Sequence, residues 1–186
     1  MSRSRSDRPY SALAIALHWL TLLLLIAGFT IVWSLPDKLS TPNDFQLLGL
    51  HKSIGITILG LTLLRLLWRA SHPAPAIPAS TPLWQRRAAG LSHALLYLLL
   101  FAIPLAGWAM SSAGGHPVSW LGLTTLPNLL AKNKALSHDL MTVHKTLAIT
   151  LLVIVGIHVL AALKHHFVDR DNVLRRMLGV GGSPTA

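Results

Sequence analysis

Four histidines, His18, His51, His144 and His158, sit inside segments apolar enough to cross a membrane. A polar ring at that depth is costly unless something holds it. Neutral imidazole is also the commonest protein ligand of transition metals. His144 and His158 share one segment, fourteen residues apart. Fourteen residues rise about 21 Å and turn about 1400°, roughly 40° short of four full turns. The two rings therefore face the same way, one in each leaflet. Imidazoles paired at two depths are what two bis-histidine haems b require. A haem iron with both axial positions held by imidazoles has no open coordination site, so the chemistry is electron transfer rather than oxygen binding.

Composition narrows the alternatives. The chain has 186 residues, 52% hydrophobic and 12% charged, with a formal charge of +10. Its cations flank apolar segments, so they read as membrane orientation rather than nucleic-acid binding. There is no cysteine, which excludes disulfides, thiolate-bound iron–sulfur clusters and covalent c-type haem. The six acidic residues are Asp7, Asp37, Asp44, Asp139, Asp169 and Asp171, and none lies within a long apolar run. That argues against a di-iron carboxylate bundle and against a carboxylate-based proton pump. No P-loop and no dinucleotide fingerprint is present.

The elements that must position the histidines are four helices, since a span needs about 20 apolar residues. The segments are roughly 11–35, 47–68, 91–112 and 142–163, read as one membrane domain over 1–186. The expected fold is an all-α transmembrane four-helix bundle. The first segment is too long for a typical signal peptide and reads as an uncleaved span. Pro36 and Pro42 punctuate the first connection, and the second is rich in proline. The third, Gly114 to Met141, is compatible with a short interfacial helix or an ordinary loop. One side of the membrane would hold Arg3, Arg5, Arg8, Arg65, Arg69, Arg86, Arg87, Lys164, Arg170, Arg175 and Arg176, eleven cations. The other would hold Lys38, Lys52, Lys132, Lys134 and Lys145, five. The positive-inside rule then places both termini in the cytoplasm.

With that orientation His18 and His158 form an inner pair, and His51 and His144 an outer pair. Arg65 and Arg69 follow His51 by fourteen and eighteen residues. Both are expected to face the interior at the inner level, where a guanidinium suits haem propionates. Gly55 would let a flat macrocycle approach the backbone. His93 is a third inner imidazole and a rival ligand. It reads as shallower, and better suited to contact a propionate or a quinone. Pro104 is expected to kink the third helix. His72, His116 and His138 fall in loops, while His165 and His166 fall at the interface beyond the fourth span.

The ordered set of motifs resembles the bacterial cytochrome b561 family over nearly the whole chain. It runs through Ala16-Leu17-His18-Trp19-Leu20, Leu50-His51-Lys52-Ser53-Ile54-Gly55 and Arg65-Leu66-Leu67-Trp68-Arg69. It continues with Ser92-His93-Ala94-Leu95-Leu96-Tyr97, Val143-His144-Lys145-Thr146-Leu147-Ala148 and Gly156-Ile157-His158. The tail Lys164-His165-His166-Phe167, then Asp171-Asn172-Val173-Leu174-Arg175-Arg176-Met177, completes it. The resemblance implies the same ligand pairs, His18 with His158 and His51 with His144, for two haems b. It also implies a multi-pass protein of the bacterial inner membrane that passes single electrons between a donor and the ubiquinone pool. Some relatives oxidise superoxide. The ascorbate chemistry of eukaryotic namesakes belongs to a different plan and is not carried over. A small anionic donor would be drawn to the outer side by Lys132, Lys134 and Lys145. No nucleic acid is expected, and a soluble protein partner is not required. The alternative is a haem b anchor subunit of a larger dehydrogenase or hydrogenase. A metal transporter using the histidines is a third, non-redox reading.

Overall fold

A computed structural model of the chain describes residues 10–74 and 81–180. Arg3, Arg5, Arg8 and the prolines Pro75 and Pro78 lie outside them. Four long helices form an all-α bundle: α1 (Ala12–Ser34), α2 (Pro42–Ser71), α3 (Leu83–Gly114) and α4 (Lys134–Phe167). All four are long and apolar enough to cross a membrane. The last three exceed their apolar cores by a turn or more at one end or both. Their ends carry capping residues and cations out of the hydrocarbon. A short helix, α5 (Val173–Met177), follows α4.

Local chemistry sets the helix ends. Ser11 caps α1, its hydroxyl accepting from the Ala14 amide at 3.2 Å. The helix stops before Leu35-Pro36, where proline disfavours α geometry in the preceding residue. Thr41 and Asp44 make a reciprocal capping box at α2, with Pro42 in the first turn. Asp44 thus satisfies helix-end amides at the membrane edge. Gly115, at φ 77°, ends α3 in the left-handed conformation that glycine adopts without penalty. Asn133 caps α4. Pro104 lies inside α3, which runs unbroken through it.

Adjacent helices pack in chain order, α1 on α2, α2 on α3 and α3 on α4. A small core of Ile54, Ile58, Leu99, Leu100 and Leu151 lies midway along the bundle. The outward faces expose Leu23, Ile26, Leu67, Leu98, Ile149 and Leu160, the surface a lipid solvent calls for. Buried Thr21 and Thr62 return their hydroxyls to the carbonyl one turn back, which satisfies them without a partner helix. At the end of the bundle where α1 begins and α5 lies, called the terminal end, the Trp19 indole donates to the Met177 carbonyl at 2.9 Å and ties α5 to α1.

The third connection is neither a helix nor a plain loop. Ser119–Trp120 and Thr124–Thr125 pair as a small antiparallel hairpin, β1 and β2. Its turn is closed by the Leu123 amide on the Trp120 carbonyl at 2.9 Å. Leu121 and Gly122 have φ of 54° and 72°, the twist of a type I′ turn. Leucine disfavours that conformation, which hid the turn from pattern reading. The hairpin is clamped to α2. The Leu121 amide donates to Ser53 Oγ at 3.0 Å, and Ser53 Oγ reaches the Ser119 carbonyl at 3.1 Å. The Trp120 indole donates to Thr57 Oγ1 at 3.0 Å. Ser53→Ala should therefore strip two hairpin groups of their partner, at about 1–3 kcal/mol. A lower melting temperature in detergent and faster exchange of the Leu121 amide would register that loss.

Candidate metal centres

The helices bring the predicted histidines together in two pairs at opposite ends of the bundle. At the hairpin end, His51 of α2 faces His144 of α4, with ring centroids 6.3 Å apart. At the terminal end, His18 of α1 faces His158 of α4, also at 6.3 Å. A metal–imidazole bond of about 2.0–2.1 Å, with roughly 1.1 Å from nitrogen to ring centre, sets two rings across one ion at ~6.2–6.4 Å. Both pairs fit one metal between two imidazoles. Among the described residues no group of three His or Asp side chains could hold a metal ion, so pairs are what the structure offers.

The hairpin-end pair has its second nitrogens fixed. His51 Nδ1 lies 3.0 Å from the Gly28 carbonyl, and His144 Nδ1 lies 2.9 Å from the Ile103 carbonyl. A carbonyl only accepts, so each Nδ1 carries the proton and each Nε2 keeps its lone pair, the tautomer a metal needs. His144 reaches its carbonyl by passing over Gly107. A Cβ at that position would sit 3.0 Å from His144 Cε1 and 3.1 Å from its Nδ1. A partly open pocket lies between the two rings and α3, lined by His51, Lys52, Gly55, Pro104, Gly107 and His144. A Cβ on Gly55 would meet nothing within 4 Å, so the backbone there is open to a flat ligand. The donor set and this cradle fit a bis-histidine haem b.

The terminal-end pair is differently supported. Arg65 Nη2 lies 3.0 Å from His18 Nδ1, and the same guanidinium sits over the Tyr97 ring, 5.4 Å from its centroid. Arg65 thus faces the interior as expected. Arg69, one turn further along in the last turn of α2, is the more exposed of the two. His93 is not shallow. The third helix starts at Leu83, so His93 lies ten residues, about 15 Å, inside it. Its ring is 5.5 Å from that of His158, closer than two rings across one ion. His93 flanks the pair without matching its spacing.

The remaining histidines are peripheral. His72 stacks on Trp68 at 3.8 Å, while His116 and His138 are exposed. His165 Nδ1 approaches Asp171 at 2.8 Å and Asp169 at 3.0 Å. His166 is half-buried beside Phe167. Lys132, Lys134 and Lys145 are exposed around the hairpin end, as placed from sequence. Lys52 is different, being half-buried in the pocket with both rings.

Residues 9–180 match the family model described as prokaryotic cytochrome b561. The chain belongs to that family. The b561 chain is 36% identical to cytochrome b561 homolog 2 of Escherichia coli (strain K12) over 185 residues, 98% of each chain. It is 36% identical over 178 residues to a protein of Yersinia pestis named probable superoxide oxidase CybB, covering 92% of this chain and 96% of that one. Cytochrome b561 homolog 1 of Escherichia coli (strain K12) is 31% identical over 173 residues, 91% of this chain and 96% of the relative. Membership makes the chain a haem b-binding, multi-pass electron-transfer protein of the bacterial inner membrane.

Sequence reasoning did not single out Gly28, Ile103 or Gly107. The first two act through backbone carbonyls, which have no residue signature. A glycine three residues after Pro104 was the available signal for the third. Lys52 was counted among the outer cations but not placed at the site, because it follows His51 directly and neighbours on a helix point about 100° apart.

Proposed function

We propose that this cytochrome b561 holds two haems b, one between His51 and His144 and one between His18 and His158. It oxidises a small anionic donor, superoxide, on the periplasmic side and reduces ubiquinone. What carries this reading is the pair of imidazole pairs at opposite ends of the bundle, both at 6.3 Å. The relative named a probable superoxide oxidase supports the donor. The excess of cations on one side supports cytoplasmic termini and a periplasmic hairpin end.

When bound, haem b supplies reversible one-electron chemistry without an open iron position. The chain does the rest. Gly28 and Ile103 hold His51 and His144 in orientation, and Gly107 leaves room for the second ring. The apolar helices exclude water from between the two levels. Lys132, Lys134 and Lys145 give the hairpin end a positive field, and Lys52 carries it into the pocket. A positive field raises the encounter rate of an anion and fades with salt. The balanced reaction consumes two superoxide anions, two protons and one quinone, and releases two oxygen molecules and one quinol.

The deciding experiment is purified protein in detergent with a superoxide source and a short-chain ubiquinone. Quinol formed at one per two superoxide supports the reading. Quinone reduction only in the presence of a tightly bound soluble dehydrogenase would favour the anchor-subunit role instead. Replacing Lys132, Lys134 and Lys145 together by Gln should slow superoxide oxidation about 10-fold at low salt, within the range steering provides. The variant and the parent should converge as salt is raised. Rates equal at low salt would remove the steering role.

A further inference from the structure

The two imidazole pairs differ in one hydrogen bond, and the difference bears on how the terminal-end site is filled. At the hairpin end both Nδ1 atoms face carbonyl acceptors, at 3.0 and 2.9 Å. His18 Nδ1 instead faces the Arg65 guanidinium at 3.0 Å. Arginine has five N–H donors and no acceptor. His18 Nδ1 must therefore accept, which puts the proton of the neutral ring on Nε2. A protonated Nε2 has no lone pair for a metal.

Among the described residues Arg65 has no carboxylate to turn to. No acidic residue lies in the apolar part of any span. Among the described residues, Asp44 is engaged by the Ser40 and Thr41 amides. Asp169 and Asp171 are paired with Lys164 and His165, and Asp37 and Asp139 are exposed. No described residue brings a carboxylate to this half-buried guanidinium, and a carboxylated ligand would supply one. Haem b carries two.

We propose that Arg65 is a latch on the terminal-end site, holding His18 in the non-ligating tautomer until a haem carboxylate draws the guanidinium away. This rests on the two-haem reading above and adds the order and selectivity of loading. A guanidinium–carboxylate bond is charge-assisted and roughly twice as strong as a neutral one, so the carboxylate displaces His18 Nδ1. Nε2 would then release one proton as Nδ1 gains one, leaving a neutral ring whose Nε2 lone pair is free for a metal. The hairpin end, already in the ligating tautomer, fills first. The terminal end admits only a porphyrin with free carboxylates.

The test is titration of haem-free protein in detergent, with absorbance read for equivalents bound. The probes are haem b and haem b dimethyl ester, whose carboxylates are blocked. Wild type should take two equivalents of haem b but one of the ester, with the second ester equivalent weakened at least tenfold. Arg65→Met should take two equivalents of the ester. Arg87→Met, at an exposed position of α3, should behave as wild type. Two ester equivalents bound alike by wild type would overturn the latch, as would Arg65→Met taking two haems b but one ester. If Arg65→Met does not survive purification, the wild-type ester stoichiometry decides alone. Fewer than two equivalents of haem b on wild type would instead defeat the two-haem reading, and the latch with it.

Discussion

His158→Ala is expected to leave the purified protein with one haem b in place of two, while His93→Ala keeps both. The two rings are neighbours, and either could be taken for the partner of His18 from sequence. The spacing separates them. His158 sits 6.3 Å from His18, the separation of two rings across one ion, whereas His93 sits 5.5 Å from His158. Losing one axial nitrogen from a pocket with no cysteine to replace it removes half of the site. Removing even a supporting group around a metal costs about 10–100-fold. Loss of the ligand should therefore lower electron transfer through the bundle by more than about 100-fold. The fourth helix would still hold His144, so the surviving haem should keep its spectrum. A His93→Ala protein with one haem and a His158→Ala protein with two would exchange the two roles.

Gly107→Val should empty the hairpin-end site although position 107 donates no ligand. A Cβ there would come within 3.0 Å of His144 Cε1 and 3.1 Å of its Nδ1. The neighbour is a ring held to the Ile103 carbonyl, not the loose end of a flexible chain. It can yield only by swinging off that carbonyl, and the Nε2 lone pair then leaves the axis toward His51. Valine is a better helix former than glycine, so α3 itself should persist. The expected product is a folded protein with one haem, at the terminal end. Gly60→Ala is the matched control, because a Cβ at Gly60 meets nothing within 4 Å. Absorbance and haem content of the two variants check the prediction, and a two-haem Gly107→Val protein would refute it.

The bundle and the pairing of its histidines were legible because both follow from helical arithmetic. A rise of about 1.5 Å and a turn of 100° per residue put His144 and His158 on one face at two depths. Arg65 fell inside for the same reason. Arg69 obeyed the same phase and came out more exposed, because it lies one turn nearer the helix end. His93 read as shallower than His158, yet packing of α3 on α4 brings its ring to the same level, 5.5 Å away. The hairpin escaped because Leu121 occupies a backbone region that leucine rarely adopts. The supports of the rings, the carbonyls of Gly28 and Ile103 and the bare surface of Gly107, depend on how closely helices approach. That distance is a property of the packed bundle and is not written in any single segment.

The haem content of the purified protein tests the central claim most directly. A pyridine haemochrome spectrum set against protein mass from amino-acid analysis gives haems b per chain. The account predicts two, falling to one in His158→Ala and to one in His144→Ala. A wild-type value of one, or two haems retained in either variant, would contradict it.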